Sequence, residues 1–387
     1  MRQRNPVLLL TIGLLLTGTA VQAGWDEGVA ALTAKNYELA AREFATVVEQ
    51  QPEWAPGQRM LGQVLVKLGR TDEALAHLSK AYDLDPSDVA TQFALGQAYV
   101  EGRRYADGAS ILGKVDRTKL QAAQRGTLDQ LLAVALSKSG QSDQALTALA
   151  RAAAASPNDA AVQYQYGVAA LNGGDLANAI KALEKSVAVK PSRDNRKALV
   201  QALMQQGRRT QGNAKTDTYR RATATANDLV AGDAGFDNLM MLAGAALGAK
   251  EFDTVISAAQ RASRANAGDW LPYYYMGQAY TQKGQYSSAE TELRKALNIA
   301  TKSSDRATIW SQLGFVFEKR KAYDDAMAAY DQAGNSVAVE RVRKNKETDQ
   351  FNRDVEAENE ELEALRREAE ALQDQLKNLP GAADPPV

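Results

Sequence analysis

Between residues 24 and 336 the apolar positions come in short runs at helical spacing, and the runs come in pairs. In one stretch Leu61 and Leu65 are four apart, as are Ala74 and Leu78, so each run presents one apolar face. Gly69 falls between the two runs, where a tight turn is needed, and Pro86 marks the end of the second. Small residues at Gly62 and Ala74 allow the two runs to approach closely. The stretch predicts a helix–turn–helix hairpin with an apolar inner seam. The hairpin recurs. Gly28, Gly62 and Gly96 are 34 residues apart, as are Pro52 and Pro86, and Pro157 and Pro191. A fixed period of that length predicts an all-α stack in which each hairpin buries its seam only against its neighbours.

The residues inside the period resemble the tetratricopeptide repeat (TPR), with its W-x2-L-G-x2-Y, A, F, A, P pattern. The third unit has Leu95, Gly96, Tyr99, Tyr105 and Leu112, with Gly108 where alanine is expected. The fifth has Tyr166, Gly167, Gly174, Ala179, Leu183 and Pro191, and the eighth Tyr273, Met276, Gly277, Tyr280, Gly284, Tyr286, Ala289 and Ala296. The ninth is the fullest copy, with Trp310, Leu313, Gly314, Phe317, Tyr323, Ala326, Tyr330 and Ala333. The first unit is weaker, and the fourth follows a short insertion around 118–124. The resemblance implies a right-handed solenoid of about nine TPR hairpins over residues 24–336.

Two regions depart from the pattern. The sixth unit breaks at Gly207, and 207–216 is polar with a glycine near each end, so it predicts an extended loop before a helix starting near Asp217. The seventh unit, about 237–266, is alanine-rich. Residues 337–379 form a different segment, charged and free of glycine and proline. There Phe351, Val355, Leu362, Leu365, Ala369, Leu372, Leu376 and Leu379 alternate by threes and fours, with Glu358 interrupting. This predicts a long C-terminal helix, either pairing as a coiled coil through 347–379 or capping the ninth unit. Residues 380–387 are expected to be a disordered tail.

The N-terminus has the layout of a secretory signal peptide over residues 1–23: Arg2 and Arg4, an apolar run from Val7 to Leu16, and small residues ending at Ala23. The run is shorter than the roughly 20 residues a spanning helix needs, so a cleaved leader and a periplasmic or secreted mature chain starting at Gly24 are expected. An uncleaved membrane anchor is the alternative. The chain has no cysteine, which excludes a lipid-modified cysteine after the leader, and no other run is apolar enough to span a membrane. A net charge of -1, from 46 basic and 47 acidic residues, argues against nucleic acid as a partner.

No metal-ligand, phosphate-loop or nucleophile motif occurs, and the single histidine, His77, has no partner histidine or cysteine. The chain is therefore read as non-catalytic, with no cofactor and no metal. The TPR resemblance implies that the first helix of each hairpin lines the binding surface, with ligand contacts at set offsets along it. Carried over, these are Arg59 and Gln63, Phe93 and Gln97, Gln130 and Val134, Tyr164 and Val168, and Tyr274 and Gln278. Amides can pair with the backbone of an extended peptide and rings can cover its side chains. The alternative is that Tyr164 and Tyr274 only pack between hairpins. A weaker candidate is the basic group Arg208, Arg209, Lys215, Arg220 and Arg221 near the sixth unit, suited to an acidic partner or simply solvated. Together these predict a protein-interaction scaffold of the bacterial cell envelope. The alternatives are a self-associating structural protein, or a carrier of a small or glycan ligand.

Overall fold

The computed structural model describes residues 21–377, so most of the predicted leader (1–20) and all of the predicted tail lie outside the described residues. The described chain is helical throughout, with no strand among these residues. It divides into two compact units, one ending at Ala202 and one beginning at Leu203.

In the first unit the helices are α1 (21–33), α2 (Tyr37–Gln50), α3 (Ala55–Lys67), α4 (Thr71–Leu84), α5 (Val89–Glu101), α6 (Tyr105–Lys114), α7 (Ala122–Lys138), α8 (Ser142–Ala155), α9 (Ala160–Asn172) and α10 (Leu176–Val189). A single 3-10 turn, Arg117–Lys119, precedes α7. The next helix, α11 (Arg193–Arg209), contains the boundary between the units. The second unit continues with α12 (Gly212–Gly232), α13 (Phe236–Ala249), α14 (Phe252–Ala265), α15 (Leu271–Gln282), α16 (Tyr286–Ile299), α17 (Ser303–Lys319), α18 (Tyr323–Gln332) and α19 (Ser336–Lys377). Within each unit consecutive helices pack as antiparallel neighbours, α3 on α4, α5 on α6, α7 on α8, α15 on α16, and each hairpin then stacks on the next.

The recurring glycine sits where a first helix meets the second helix of its own hairpin. A side chain at Gly62 would start 2.5 Å from Cγ of Leu78, which is fully buried, so the helices touch through that missing carbon. The hairpin turn needs a left-handed residue. Gly69 supplies it at φ 75°, while Lys250 adopts φ 63° at the corresponding place in its hairpin. In the first hairpin Phe44 is fully buried, and Trp25 packs against both Phe44 and Trp54, with ring centroids 5.5 and 4.7 Å apart. The weak motif of this unit is thus compensated by an aromatic cluster.

A buried amide ties each of several hairpins to the one before it. Gln58 donates to the carbonyl of Pro52 at 2.8 Å, and Gln92 to that of Pro86 at 2.8 Å. Gln163 donates to Ala153 at 2.7 Å, Asn195 to Lys190 at 2.9 Å and Asn238 to Asp233 at 2.9 Å. The accepting carbonyls lie at helix C-terminal ends or in the following connection, where the helix itself provides no donor. Because the Gln58 nitrogen is committed to Pro52, its oxygen accepts, and His77 Nδ1–H donates to it at 2.7 Å. Burial pushes the His77 pKa down, which favours that neutral ring.

At the insertion before α7 the tie is ionic. Asp129 is fully buried, and the Arg117 guanidinium grips it bidentately, with Nη2 to Oδ2 at 2.6 Å. Nε of Arg151 lies 3.3 Å from the same carboxylate.

The predicted extended loop at 207–216 is not present. Helix α11 runs on to Arg209 and α12 starts at Gly212, leaving a connection of Thr210 and Gln211. The glycine is not a break, because the side-chain space at Gly207 is taken by Tyr219, whose ring a Cβ there would meet at 2.6 Å. The same ring blocks Gly248 of α13 at 2.4 Å, so Tyr219 is wedged between two glycines.

Helix α19 has two parts. Its first turns cap the last hairpin: Ala338 and Val342 are buried, Arg341 pairs with Glu318 at 2.6 Å, and Asp349 pairs with Lys321 at 2.9 Å and accepts from Tyr323 at 2.6 Å. From Gln350 to Leu376 every residue is exposed.

Candidate functional site

Within each unit the first helices of neighbouring hairpins lie side by side, α3 by α5, α5 by α7, α13 by α15 and α15 by α17, so their outward residues share one face. All of the sequence-predicted groove residues except Val134 are half-buried there, and Val134 is exposed. Their surroundings differ. Arg59 lies 3.5 Å from Asp88, the residue that caps α5, and so bridges two hairpins. Gln63 and Phe93 stand on α3 and α5, and Gln97 donates to Glu101 at 2.9 Å. Gln130 stands on α7.

Two clefts collect most of the rest. In the first unit a cleft of about 310 Å3 opens between α7 and α9, lined by Val134, Tyr164, Val168, Ala133, Ala169 and Asn172 among others. Three predicted groove residues meet there, on a largely apolar wall. In the second unit a cleft of about 690 Å3 is lined by Tyr274 of α15, by Ser311, Gln312 and Phe315 of α17, and by Tyr330, Asn335 and Arg341 at its end. Its floor is polar: Tyr330 and Arg341 both donate to Glu318, at 3.1 and 2.6 Å. Tyr274 is held by an edge contact with Trp270 at 5.5 Å and by a 3.1 Å hydrogen bond from Gln278. Burial, and then the neighbouring Tyr275, push the Tyr274 pKa up, so its hydroxyl stays protonated near neutrality. Ser311 and Phe315 were not among the sequence-predicted residues, although the same helical offsets carried into the ninth unit select them.

The basic group is not a loop cluster. Arg208 and Arg209 end α11, where cations suit the negative end of the helix dipole. Arg220 pairs with Asp217 at 2.9 Å on α12, and Arg221 follows it on the same helix. Lys215 alone joins the face, lining a cleft of about 570 Å3 with Gln278, Gln282 and Gln312. No helix among the described residues is long and apolar enough to cross a membrane.

The face therefore offers shallow clefts between parallel first helices, walled by rings and amides. That arrangement suits holding a chain segment. The sequence agrees with it. Residues 62–101 match a TPR repeat family, and residues 131–194 and 272–303 match two tetratricopeptide repeat families. The chain is a tetratricopeptide repeat protein. No curated protein matches it in sequence. Among solved structures it is similar to MamA 41-end from Desulfovibrio magneticus RS-1, at 20% identity over 45% of this chain and 94% of that one, with a TM-score of 0.37. It is similar to YrrB, described as a TPR protein with an unusual peptide-binding site, at 20% identity over 67% and 93%, with a TM-score of 0.32. The APC/C hetero-tetramer Cut9-Hcn1 is matched at 12% identity over 84% and 90%, with a TM-score of 0.38.

Proposed function

We propose that this chain is a non-catalytic scaffold of the bacterial cell envelope that holds extended segments of a partner protein against the first helices of its hairpins. The observation that carries the reading is the pair of aromatic clefts, one around Tyr164 and one around Tyr274 and Phe315. Each places a ring beside exposed polar groups, which fits a side-chain pocket for a peptide whose backbone meets the amides.

Tyr164→Ala, Tyr274→Ala and Phe315→Ala are each expected to weaken partner binding by about 1–3 kcal/mol, the scale of a lost aromatic anchor. The check is capture from envelope extracts by the wild-type chain and by the triple variant, alongside their melting temperatures. A protein held by the first and lost by the second, at unchanged melting, supports the reading. Identical captures would overturn it.

Placement in the envelope rests on the leader layout of residues 1–23. Cleavage after Ala23 would remove Val21 from the first hairpin and leave Trp25 as its first large core residue. N-terminal sequencing of the protein isolated from its host is expected to start at Gly24. A product starting at Met1 in the cytoplasm would remove the envelope from the proposal.

A further inference from the structure

We infer that residues 350–377 of α19 pair with the same segment of a second copy of this chain, in parallel and in register, as a two-stranded coiled coil. This does not depend on the reading of the first-helix face. The exposed large apolar residues of the described chain are four scattered valines and one stripe: Phe351, Val355, Leu362, Leu365, Leu372 and Leu376. Every exposed leucine and phenylalanine among them lies on that stripe. Leu362, Leu365 and Leu372 are 57%, 54% and 53% exposed, so this part of the helix does not fold onto the last hairpin. The capping alternative holds only for the helix up to Asp349.

The stripe follows the a and d places of a heptad, with Val355, Leu362, Ala369 and Leu376 at a and Glu358, Leu365 and Leu372 at d. The segment spans about four heptads, roughly 40 Å at 1.5 Å per residue. A seam of that length buries its leucines only against another helix with the same period.

The charges flanking the seam choose the orientation and the occupant. The g column is Asp354, Glu361 and Glu368, and the e column is Asn359, Arg366 and Gln373. A parallel pair sets each g against the following e of the other strand, which joins Glu361 to Arg366 and opposes no like charges between these two columns, leaving the two Glu358 carboxylates as the one like-charged pair in the seam. An antiparallel pair sets g against g, acid against acid. The flanking charges are thus self-complementary in one orientation. Glu358, at a d place, argues for two strands: in a dimer its carboxylate can lean out to water, while the more enclosed core of a trimer would strand it.

The test uses the full chain in sedimentation experiments at tens of micromolar. The wild type is expected at the mass of two chains, and Leu365→Asp with Leu372→Asp at the mass of one, with the helical melt of the repeats unchanged. Glu358→Leu is expected to tighten association by about tenfold or more, since it replaces a charge in the seam. The chain has no cysteine, so orientation can be read by single substitutions. Leu376→Cys should cross-link to itself on mild oxidation, and the outward-facing Glu356→Cys should not. A wild type that is monomeric overturns the inference. So does a dimer that survives the double aspartate variant, or one in which Leu376→Cys fails to cross-link.

Discussion

Tyr219→Ala is expected to destabilise the second unit by about 4 kcal/mol, the middle of the range for emptying a buried aromatic site. The ring is 7% exposed and fills the space at Gly207 and Gly248, where side chains would begin 2.6 and 2.4 Å from it. Neither glycine has a side chain to move into the hole, so little relaxation can offset the loss. The pairing also sets the sign of a second substitution. Gly248→Ala in the wild type drives a methyl into the ring and should cost about 2 kcal/mol of overpacking. In the Tyr219→Ala background the methyl enters vacated space, and alanine gains about 1 kcal/mol of helix propensity over glycine. Urea midpoints of the four proteins should show this reversal. An equal cost of Gly248→Ala in both backgrounds would show that the wedge is not what holds these helices apart.

Arg117→Met should cost about 3 kcal/mol, because it leaves the fully buried Asp129 carboxylate with only Arg151 at 3.3 Å. The loss comes from an uncompensated charge, so removing that charge should restore most of it. Arg117→Met with Asp129→Leu is expected within about 1 kcal/mol of wild type, since an apolar pair of similar volume commonly replaces a buried ion pair at little cost. Thermal melts of the single and double variants check both numbers. A double variant no more stable than Arg117→Met would point to the shape of the insertion instead of its charges.

The repeat was legible because its physics is local. Gly62 and Leu78 meet within one hairpin, sixteen residues apart, and that distance recurs at Gly28, Gly96, Gly167, Gly277 and Gly314. Where the same residue type departs from that spacing, the sequence misleads. Gly207 looks like a helix break beside polar neighbours, but its missing side chain makes room for Tyr219, and the helix passes through it. Asp129 gave no signal, since Arg117 and Arg151 come from different segments and look like ordinary surface charges. Of the candidate site, Val134, Tyr164 and Val168 do share a cleft, as do Lys215 and Gln278. Arg59 is instead drawn towards the Asp88 cap, a tie that depends on the next hairpin and cannot be read from its own helix. The heptads of α19 were visible, but whether they lay against the last hairpin was decided by how far Tyr323, Lys321 and Asp349 carry the cap.

The buried amide ties also mark where the array would crack. Gln58, Gln92, Gln163, Asn195 and Asn238 each lock a first helix to the connection before it, and Arg306 does the same by donating to Leu297 at 2.7 Å. Pulling such a junction open strands a buried polar group, which adds to the apolar area exposed. The junction of α14 with α15 has no such tie among the described residues. It is joined by the packing of α14 on α15 and by the exposed Lys283–Asp253 ion pair. Under tension or in native-state hydrogen exchange, this is the seam along which the last two hairpins and α19 should detach as one piece, keeping the Tyr274–Phe315 cleft whole on the departing fragment.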